Sequence, residues 1–258
     1  MLPAIFVSHG APTLPLTDVP ARDFLMGLGA ALPERPRAIL VVSAHWETER
    51  PRVNAVATNA TIHDFRGFPA ALYELQYPAP GSTELATRVA GLLAAAGMPV
   101  DLDAARGLDH GAWVPLMMMY PGADIPVVQL SIQSHLGPAH HLALGQALAP
   151  LRAEGVLVLA SGSFTHDVSQ FRGGLPDEEP ASVSDFAGWF DTALAEHRTG
   201  QLLDYRRLAP HAVQNHPTDE HLLPLYVALG AGGIDAPVAH LHDSTTFGVI
   251  RMDAYAFG

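Results

Sequence analysis

The residues of this sequence that could do chemistry are histidines placed at the ends of apolar segments. His9 and His45 each follow a short apolar run that ends in serine, and His166 comes shortly after a third such run. His221 lies in the segment 216–221, at the expected start of a helix. A metal site needs three neutral imidazoles or carboxylates, with open positions for water or substrate. These histidines could supply one, although each could also do no more than end its own strand or begin its own helix.

Composition limits the kind of site and the kind of partner. The 258 residues contain no cysteine, which excludes disulfides, thiolate ligands and cysteine nucleophiles. A metal would therefore be bound by histidines and carboxylates, ligands that suit zinc or non-haem iron. A net charge of −12 argues against nucleic acid, which needs a basic surface. No apolar run approaches the roughly 20 residues of a membrane span, and no basic segment precedes the first one, so we expect no membrane contact and a cytoplasmic protein.

The elements that would position the histidines alternate between strands and helices. Short uninterrupted apolar runs predict buried strands, at 3–8, 37–46, 125–132 and 156–162, with a short strand at 53–58 and closing strands at 237–241 and 247–252. Helical spacing predicts helices, at 21–31, 82–95, 114–120 and 139–152, then through 189–194, and a last one opened by 216–221. This alternation predicts a three-layer α/β fold with a mostly parallel central sheet, in one catalytic domain over residues 1–258. In such sheets the functional crevice lies beyond the carboxyl ends of the strands.

The sequence also supports predictions for two loops and for the start of the last helix. The aromatic and polar loop 61–69 is long enough to cover a site, and the segment 173–180 is expected to be a mobile acidic loop. Thr218 is a fair N-cap, which would place His221 in the first turn of a helix with one buried stripe. Pro224 would make that start irregular, because it interrupts one backbone hydrogen bond.

Eight segments, spread in order over nearly the whole chain, make the sequence similar to a known family. They are Ser-His-Gly-Ala-Pro at 8–12, Ser-Ala-His-Trp at 43–46, Thr-Ile-His-Asp-Phe-Arg-Gly-Phe-Pro at 61–69, Tyr-Pro-Ala-Pro-Gly at 77–81, Asp-His-Gly-Ala-Trp at 109–113, Val-Gln-Leu-Ser at 128–131, Ala-Ser-Gly at 160–162 and His-Pro-Thr-Asp-Glu-His-Leu-Leu-Pro-Leu at 216–225. Together they resemble the DOPA-dioxygenase family of class III extradiol ring-cleavage dioxygenases, which is related to the catalytic subunit of protocatechuate 4,5-dioxygenase. The resemblance implies the α/β fold of that subunit.

The resemblance also implies a ligand set. His9, His45 and His221 would bind one divalent metal ion per chain, and His166 would face the open coordination positions or act as a fourth ligand. Fe(II) is implied for activity and Zn(II) for the protein as isolated, because three histidines suit either ion. Members of the wider class use two histidines and one glutamate, so a contribution from Glu220 stays open.

The implied reaction is the cleavage of a small DOPA-like aromatic diol by O₂, giving a ring-opened semialdehyde. His166 is the candidate base, because an imidazole can take the protons that a bound catechol loses. His110 could donate a proton to the oxygen intermediate or could be satisfied by backbone at a helix start. Trp113 could form a wall against the substrate ring. His63 is expected in the substrate-binding site, with a supporting position and a surface position both open.

Two other functions stay open from the sequence. Three histidines and an activated water would suit a zinc-dependent hydrolase, with His166 or Glu220 as base. A non-enzymatic scaffold is the other, since the wider superfamily includes Memo-like signalling proteins, although the presence of every candidate ligand counts against it. Oxygen uptake with a catechol would separate the dioxygenase from both. The sequence identifies neither the catechol nor whether the chain forms a homo-oligomer.

Overall fold

A computed structural model describes residues 1–167 and 179–258 of the chain, so the predicted acidic loop 173–180 lies almost entirely outside the described residues. The strands of the described part are Ala4–Ser8 (β1), Ala38–Glu47 (β2), Arg52–Asn54 (β3), Asp101–Asp103 (β4), Val127–Ile132 (β5), Val156–Gly162 (β6), Val238–His242 (β7), Thr245–Thr246 (β8), Ile250–Arg251 (β9) and Ala254–Phe257 (β10). The helices are Pro20–Ala31 (α1), Ala70–Glu74 (α2), Thr83–Ala95 (α3), His110–Met119 (α4), Gly137–Leu148 (α5), Pro150–Ala153 (α6), Ala181–Ala195 (α7), Thr199–Leu203 (α8), Tyr205–Leu208 (α9), Ala212–Asn215 (α10) and Leu223–Gly232 (α11), with short 3₁₀ turns at Leu14–Leu16 and Ser134–Leu136.

Eight of the strands form one sheet in the order β4-β3-β5-β2-β6-β1-β10-β7. The four central strands, β5, β2, β6 and β1, are parallel to one another, and every residue of β1, β5 and β6 is buried. Strands β10 and β7 add antiparallel pairs at one edge, and β3 pairs antiparallel with β5 near the other. The uninterrupted apolar runs predicted these buried central strands, because a parallel sheet covered on both faces needs no polar alternation.

Two hydrophobic clusters cover the two faces of the sheet. Successive side chains of a strand point to opposite faces, so Phe6 joins the cluster that includes α3, α5, α7 and α11, whereas Ile5 and Val7 join the cluster that includes α1 and α4. Helices therefore pack on both sides, and the predicted three-layer α/β architecture with a mostly parallel sheet is confirmed. Among the described residues, no helix is both long enough and apolar enough to span a bilayer.

The prediction for the last helix is wrong at its start. Helix α11 begins at Leu223, because Pro224 fits the first turn, where its missing N–H costs no hydrogen bond. Thr218 therefore does not cap it, and His221 lies in the turn before the helix rather than in its first turn. Every residue of α11 is buried, not one stripe, since the helix packs between α5 and the sheet.

Three further bounds differ from the predictions. The strand expected at 53–58 is only the three residues of β3. The helix expected at 139–152 is divided into α5 and α6, because Pro150 cannot donate the backbone hydrogen bond that would continue it. The first closing strand is confirmed as β7, but the second expected strand, 247–252, gives only the short β9, and β10 follows it as the strand that joins the sheet.

Candidate metal centre

Three of the predicted ligands meet at the carboxyl edge of the central strands. His9 follows β1 and His45 lies near the end of β2, on either side of β6, while His221 reaches the same edge from the turn before α11. The Nε2 atom of His45 lies 3.0 Å from Nε2 of His9 and 3.2 Å from Nε2 of His221. These three imidazoles therefore present one nitrogen each to a common point.

Hydrogen bonds on the far side of two rings set which nitrogen carries the lone pair. His221 Nδ1 lies 2.8 Å from Glu220 Oε1, a carboxylate that can only accept. His9 Nδ1 lies 3.0 Å from Ser161 Oγ, and that hydroxyl donates its own hydrogen to the carbonyl of Gly111, so it accepts from His9. Both Nδ1 atoms are thus donors, which leaves each Nε2 unprotonated and facing the common point. Partners of this kind orient histidine ligands in metal sites.

The surroundings keep these imidazoles neutral. Burial, reinforced by the neighbouring imidazoles, lowers the pKa of His9 and of His221 well below the ordinary value. Burial, reinforced by His110, lowers the pKa of His45 to about 3 against the opposing charge of Asp64. Neutral imidazole is the form that binds a metal.

The nitrogen geometry fits a divalent ion. Ligand nitrogens bound about 2.1 Å from one ion, at angles of about 90–110°, are about 3.0–3.4 Å apart. The separations of 3.0 and 3.2 Å at His45 fall in this range. Lone pairs of His9 and His221 that face the same point, within 4.8 Å of each other, repel one another unless a cation lies between them. Three nitrogens would leave positions on the ion open for other ligands.

His166 lies at the rim of this centre. Its ring stacks on that of His221, with centroids 3.4 Å apart and an interplanar angle of 13°. Its backbone N–H donates to the carbonyl of Asn215, and burial lowers the pKa of its imidazole. Together with Glu220 and His221 it forms a second group with metal-ligand spacing. His166 is therefore close enough to act on whatever the centre binds.

Asp64 connects His45 with His110, a role that the sequence pattern did not predict. One of its oxygens accepts from the backbone N–H of His110 and lies 3.0 Å from His110 Nδ1, while the other lies 3.8 Å from His45 Nδ1. Burial alone would raise the pKa of Asp64, but the contacts with His110 outweigh it and lower the pKa to about 2. The sequence offered one indication of this role, since Asp64 is the only acidic residue of the loop 61–69.

A second carboxylate fixes the backbone behind His45. Asp109 is fully buried and accepts from Ser43 Oγ at 2.6 Å, from Arg106 Nη2 at 2.9 Å and from Gln129 Nε2. Ser43 Oγ in turn accepts from the backbone N–H of His45. A buried charge is stable only when it is paired and hydrogen-bonded in this way. Because Asp109 also caps α4, the network ties the strand of His45 to the helix of His110.

A cavity of about 390 Å³ lies beside the centre, a volume in the range of small-molecule sites. Its wall includes five histidines, His9, His45, His110, His166 and His221. Its lining is mostly apolar and includes two aromatic residues that the sequence pattern did not predict there, Phe68 and Phe247. Besides these residues and the histidines, the wall contains Ser163, Ile250 and the segment Gly10, Ala11, Pro12 and Thr13.

The structure does not bring Trp113 or His63 to this cavity. Trp113 is fully buried in the α1 and α4 cluster, and its indole N–H donates to the carbonyl of Ile62. His63 Nε2 lies 3.0 Å from the carbonyl oxygen of Leu75, and its ring packs edge-on against Trp113. The prediction that Trp113 forms a wall against the substrate ring therefore needs correction, because a side chain with no exposed surface cannot contact a ligand. Trp113 instead supports the loop 61–69 from behind, through the carbonyl of Ile62 and the ring of His63.

Gly111 gives a direct test of this packing. A Cβ atom at Gly111 would lie 2.9 Å from His45 Cδ2 and 3.3 Å from His9 Cε1, and closer still to Ser43 Oγ. Gly111→Ala should therefore displace ligands and weaken metal binding by about 10–100-fold, the effect expected when ligand orientation is lost. Metal titration would measure this.

The matched control is Gly91→Ala in α3, where a Cβ meets no atom within 4 Å. It should leave metal affinity unchanged and stabilise the fold by up to about 1 kcal/mol through helix propensity. Equal metal affinity in the Gly111 and Gly91 variants would contradict the proposed ligand set.

Comparisons with known proteins cover the whole chain. A family model described as the catalytic LigB subunit of aromatic ring-opening dioxygenase matches residues 3–258. A Beta vulgaris protein named 4,5-DOPA dioxygenase extradiol is 48% identical over 258 residues, 98% of this chain and 95% of that protein. An Escherichia coli K12 protein of the same name is 40% identical over 264 residues, 100% of this chain and 95% of that protein. The crystal structure of an uncharacterized Escherichia coli K12 protein has a TM-score of 0.84 at 35% identity and covers 100% of both chains.

Proposed function

This chain belongs to the family of catalytic LigB subunits of aromatic ring-opening dioxygenases, and we propose that it opens a small DOPA-like catechol beside its diol at the histidine centre. Extradiol ring cleavage with O₂ is its class of reaction. One observation supports placing the reaction at this centre. The Nε2 atoms of His9, His45 and His221 converge beside an apolar cavity of about 390 Å³. The family assignment favours this reaction over a zinc hydrolase and over a Memo-like scaffold. A cytoplasmic location and the oligomeric state stay predictions.

His9, His45 and His221 would hold the metal, with Fe(II) as the active ion. When bound, Fe(II) supplies adjacent positions for a catecholate and O₂ and the redox chemistry that O₂ requires. Zn(II) fits the same three nitrogens but has no redox chemistry, so zinc should occupy the site without supporting turnover. Glu220 acts as the partner of His221 in this proposal, because its carboxylate is engaged with His221 Nδ1.

His166 would take a proton from the catechol. The support is its place on the cavity wall, its stacking on His221, and a lowered pKa that keeps the ring neutral and able to accept. A general base must lie within hydrogen-bond reach of the proton that it removes. His166 would meet this condition for a diol held next to His221, because its ring stacks on that of His221.

His110 would pass a proton in the later part of the reaction. Its Nδ1 lies 3.0 Å from an oxygen of the Asp64 carboxylate, although the two atoms do not form a hydrogen bond. Asp64 would therefore balance positive charge on the ring while a proton is held, and His110 would serve as a relay that receives a proton before it donates one.

The overall reaction needs no further reductant. One ring bond beside the diol breaks, and each of its two carbons gains one oxygen atom from O₂, giving a carboxylate and an aldehyde. The catechol supplies all the electrons that reduce O₂. Of the two protons removed from the hydroxyls, one returns to the product as its enol proton through His166 and His110, and the other leaves to solvent because the product acid is ionised.

Oxygen uptake tests the proposed function. Protein loaded anaerobically with Fe(II) and then given DOPA and air should consume oxygen and form a yellow ring-opened product. Fe(II) at the same concentration without protein, and the zinc-loaded protein, are the controls. Uptake no faster than that of free Fe(II), across a panel of catechols, would refute the proposal.

A further inference from the structure

Phe247 has a backbone conformation that a bulky side chain rarely adopts. It lies at the tip of the hairpin formed by β8 and β9, with φ of 55°, and Gly248 follows with φ of 74°. Two successive left-handed residues in a hairpin favour Asn-Gly, and phenylalanine at the first position is strained. Strain of this kind persists where the surrounding structure enforces it, and it concentrates at functional sites.

The base of the hairpin is fixed to the segment that carries His166. Thr165, fully buried, donates from Oγ1 to the carbonyl of Val249 at 2.7 Å and accepts from the backbone N–H of Arg251 at 2.8 Å. Arg251 also pairs with the fully buried carboxylate of Asp253. The position of the hairpin tip is therefore set relative to the candidate base, one residue from Thr165.

Phe247 forms part of the cavity wall together with the metal-centre histidines. It also borders the segment that follows His9, since Gly10, Ala11 and Phe247 line both this cavity and a much smaller adjoining one. An aromatic ring in a mostly apolar cavity suits an aromatic ligand, which packs against it offset or edge-on.

We propose that Phe247 is a specificity-determining residue whose ring contacts the aromatic ring of the substrate, and that the chain keeps its strained backbone for this contact. The inference rests on the proposed function, because it takes the ligand to be a catechol. The competing explanation is packing, since Phe247 also contacts the α1 and α4 cluster. The two explanations predict opposite effects on stability.

Phe247→Asn separates them, because asparagine accepts the left-handed conformation and removes the ring. We expect the dissociation constant for a catechol, measured anaerobically by calorimetry, and KM to rise about tenfold. Metal content and kcat should stay within about twofold of the parent protein. Because strain is relieved, Tm should rise by about 2–4 °C.

Ala123→Gly is the matched control, since Ala123 has φ of 48° and lies outside the cavity lining. It should leave catechol affinity and KM unchanged.

An unchanged affinity in Phe247→Asn would overturn the inference, and so would a lower Tm, because a ring needed for folding explains the strained backbone without a ligand. If the parent protein turns over catechols and the Phe247→Asn variant has the same catechol affinity and KM, this inference alone is refuted. A parent protein that neither binds nor cleaves catechols would refute the proposed function as well.

Discussion

Replacing His45 by alanine is expected to abolish stoichiometric metal binding and ring cleavage while leaving the fold intact. His45 Nε2 lies between Nε2 of His9 and Nε2 of His221, so its loss leaves two nitrogens and a gap at the centre of the set. Metal affinity should fall by more than about 10–100-fold, which is the loss expected when only a hydrogen-bond partner of a ligand is removed. Glu220→Gln removes such a partner and should be the milder change. Elemental analysis of the dialysed proteins measures both.

The control for this substitution is His197→Ala, because His197 is exposed, does not line the cavity and has its Nδ1 3.2 Å from the carbonyl of Ile234. Its metal content should equal that of the parent protein. A His45→Ala protein that still holds one tight equivalent of metal would contradict the ligand set. If Glu220→Gln instead empties the site while His45→Ala does not, Glu220 is a ligand and His45 is not.

Replacing His166 by alanine is expected to keep the metal and lose turnover. His166 stacks on His221 and lines the cavity, but the three converging Nε2 atoms belong to other residues. Loss of a general base lowers kcat by about 10²–10⁴-fold. Metal analysis and single-turnover rates on the same preparation separate the two roles. Metal loss in proportion to the loss of rate would make His166 a ligand only.

The sequence was sufficient for the parts of the site that depend on strands. His9 and His45 could be paired in advance because uninterrupted apolar runs predicted parallel strands, and the carboxyl ends of parallel strands share one edge. Both strands do border β6. His221 was different, since it lies in an irregular turn whose place in the fold no local pattern gives. The sequence pattern offered it as one candidate at an expected helix start, and the resemblance to a known family implied that it is a ligand.

The remaining parts of the site depend on contacts that have no periodic signal. Asp64 meets His110 across 46 positions through a loop, so neither spacing nor propensity connects them. Helix α4 is apolar on nearly every side, and its pattern could not show that Trp113 faces the core. Phe247 reaches the cavity from a hairpin that was expected to be a plain strand. These residues could be assigned only when the tertiary structure was known.

Ring cleavage at the histidine centre is tested most directly by labelling with oxygen-18 gas. The substrate is 3-(3,4-dihydroxyphenyl)propionate, which is DOPA without its amine, so the product aldehyde cannot condense with an amine and lose oxygen. The Fe(II)-loaded protein turns it over, borohydride traps the aldehyde before it exchanges with water, and mass spectrometry counts the label. We predict two labelled oxygen atoms in one ring-opened product. A product that carries none of the label, such as a quinone or a hydrolysis product, would contradict ring cleavage at this centre.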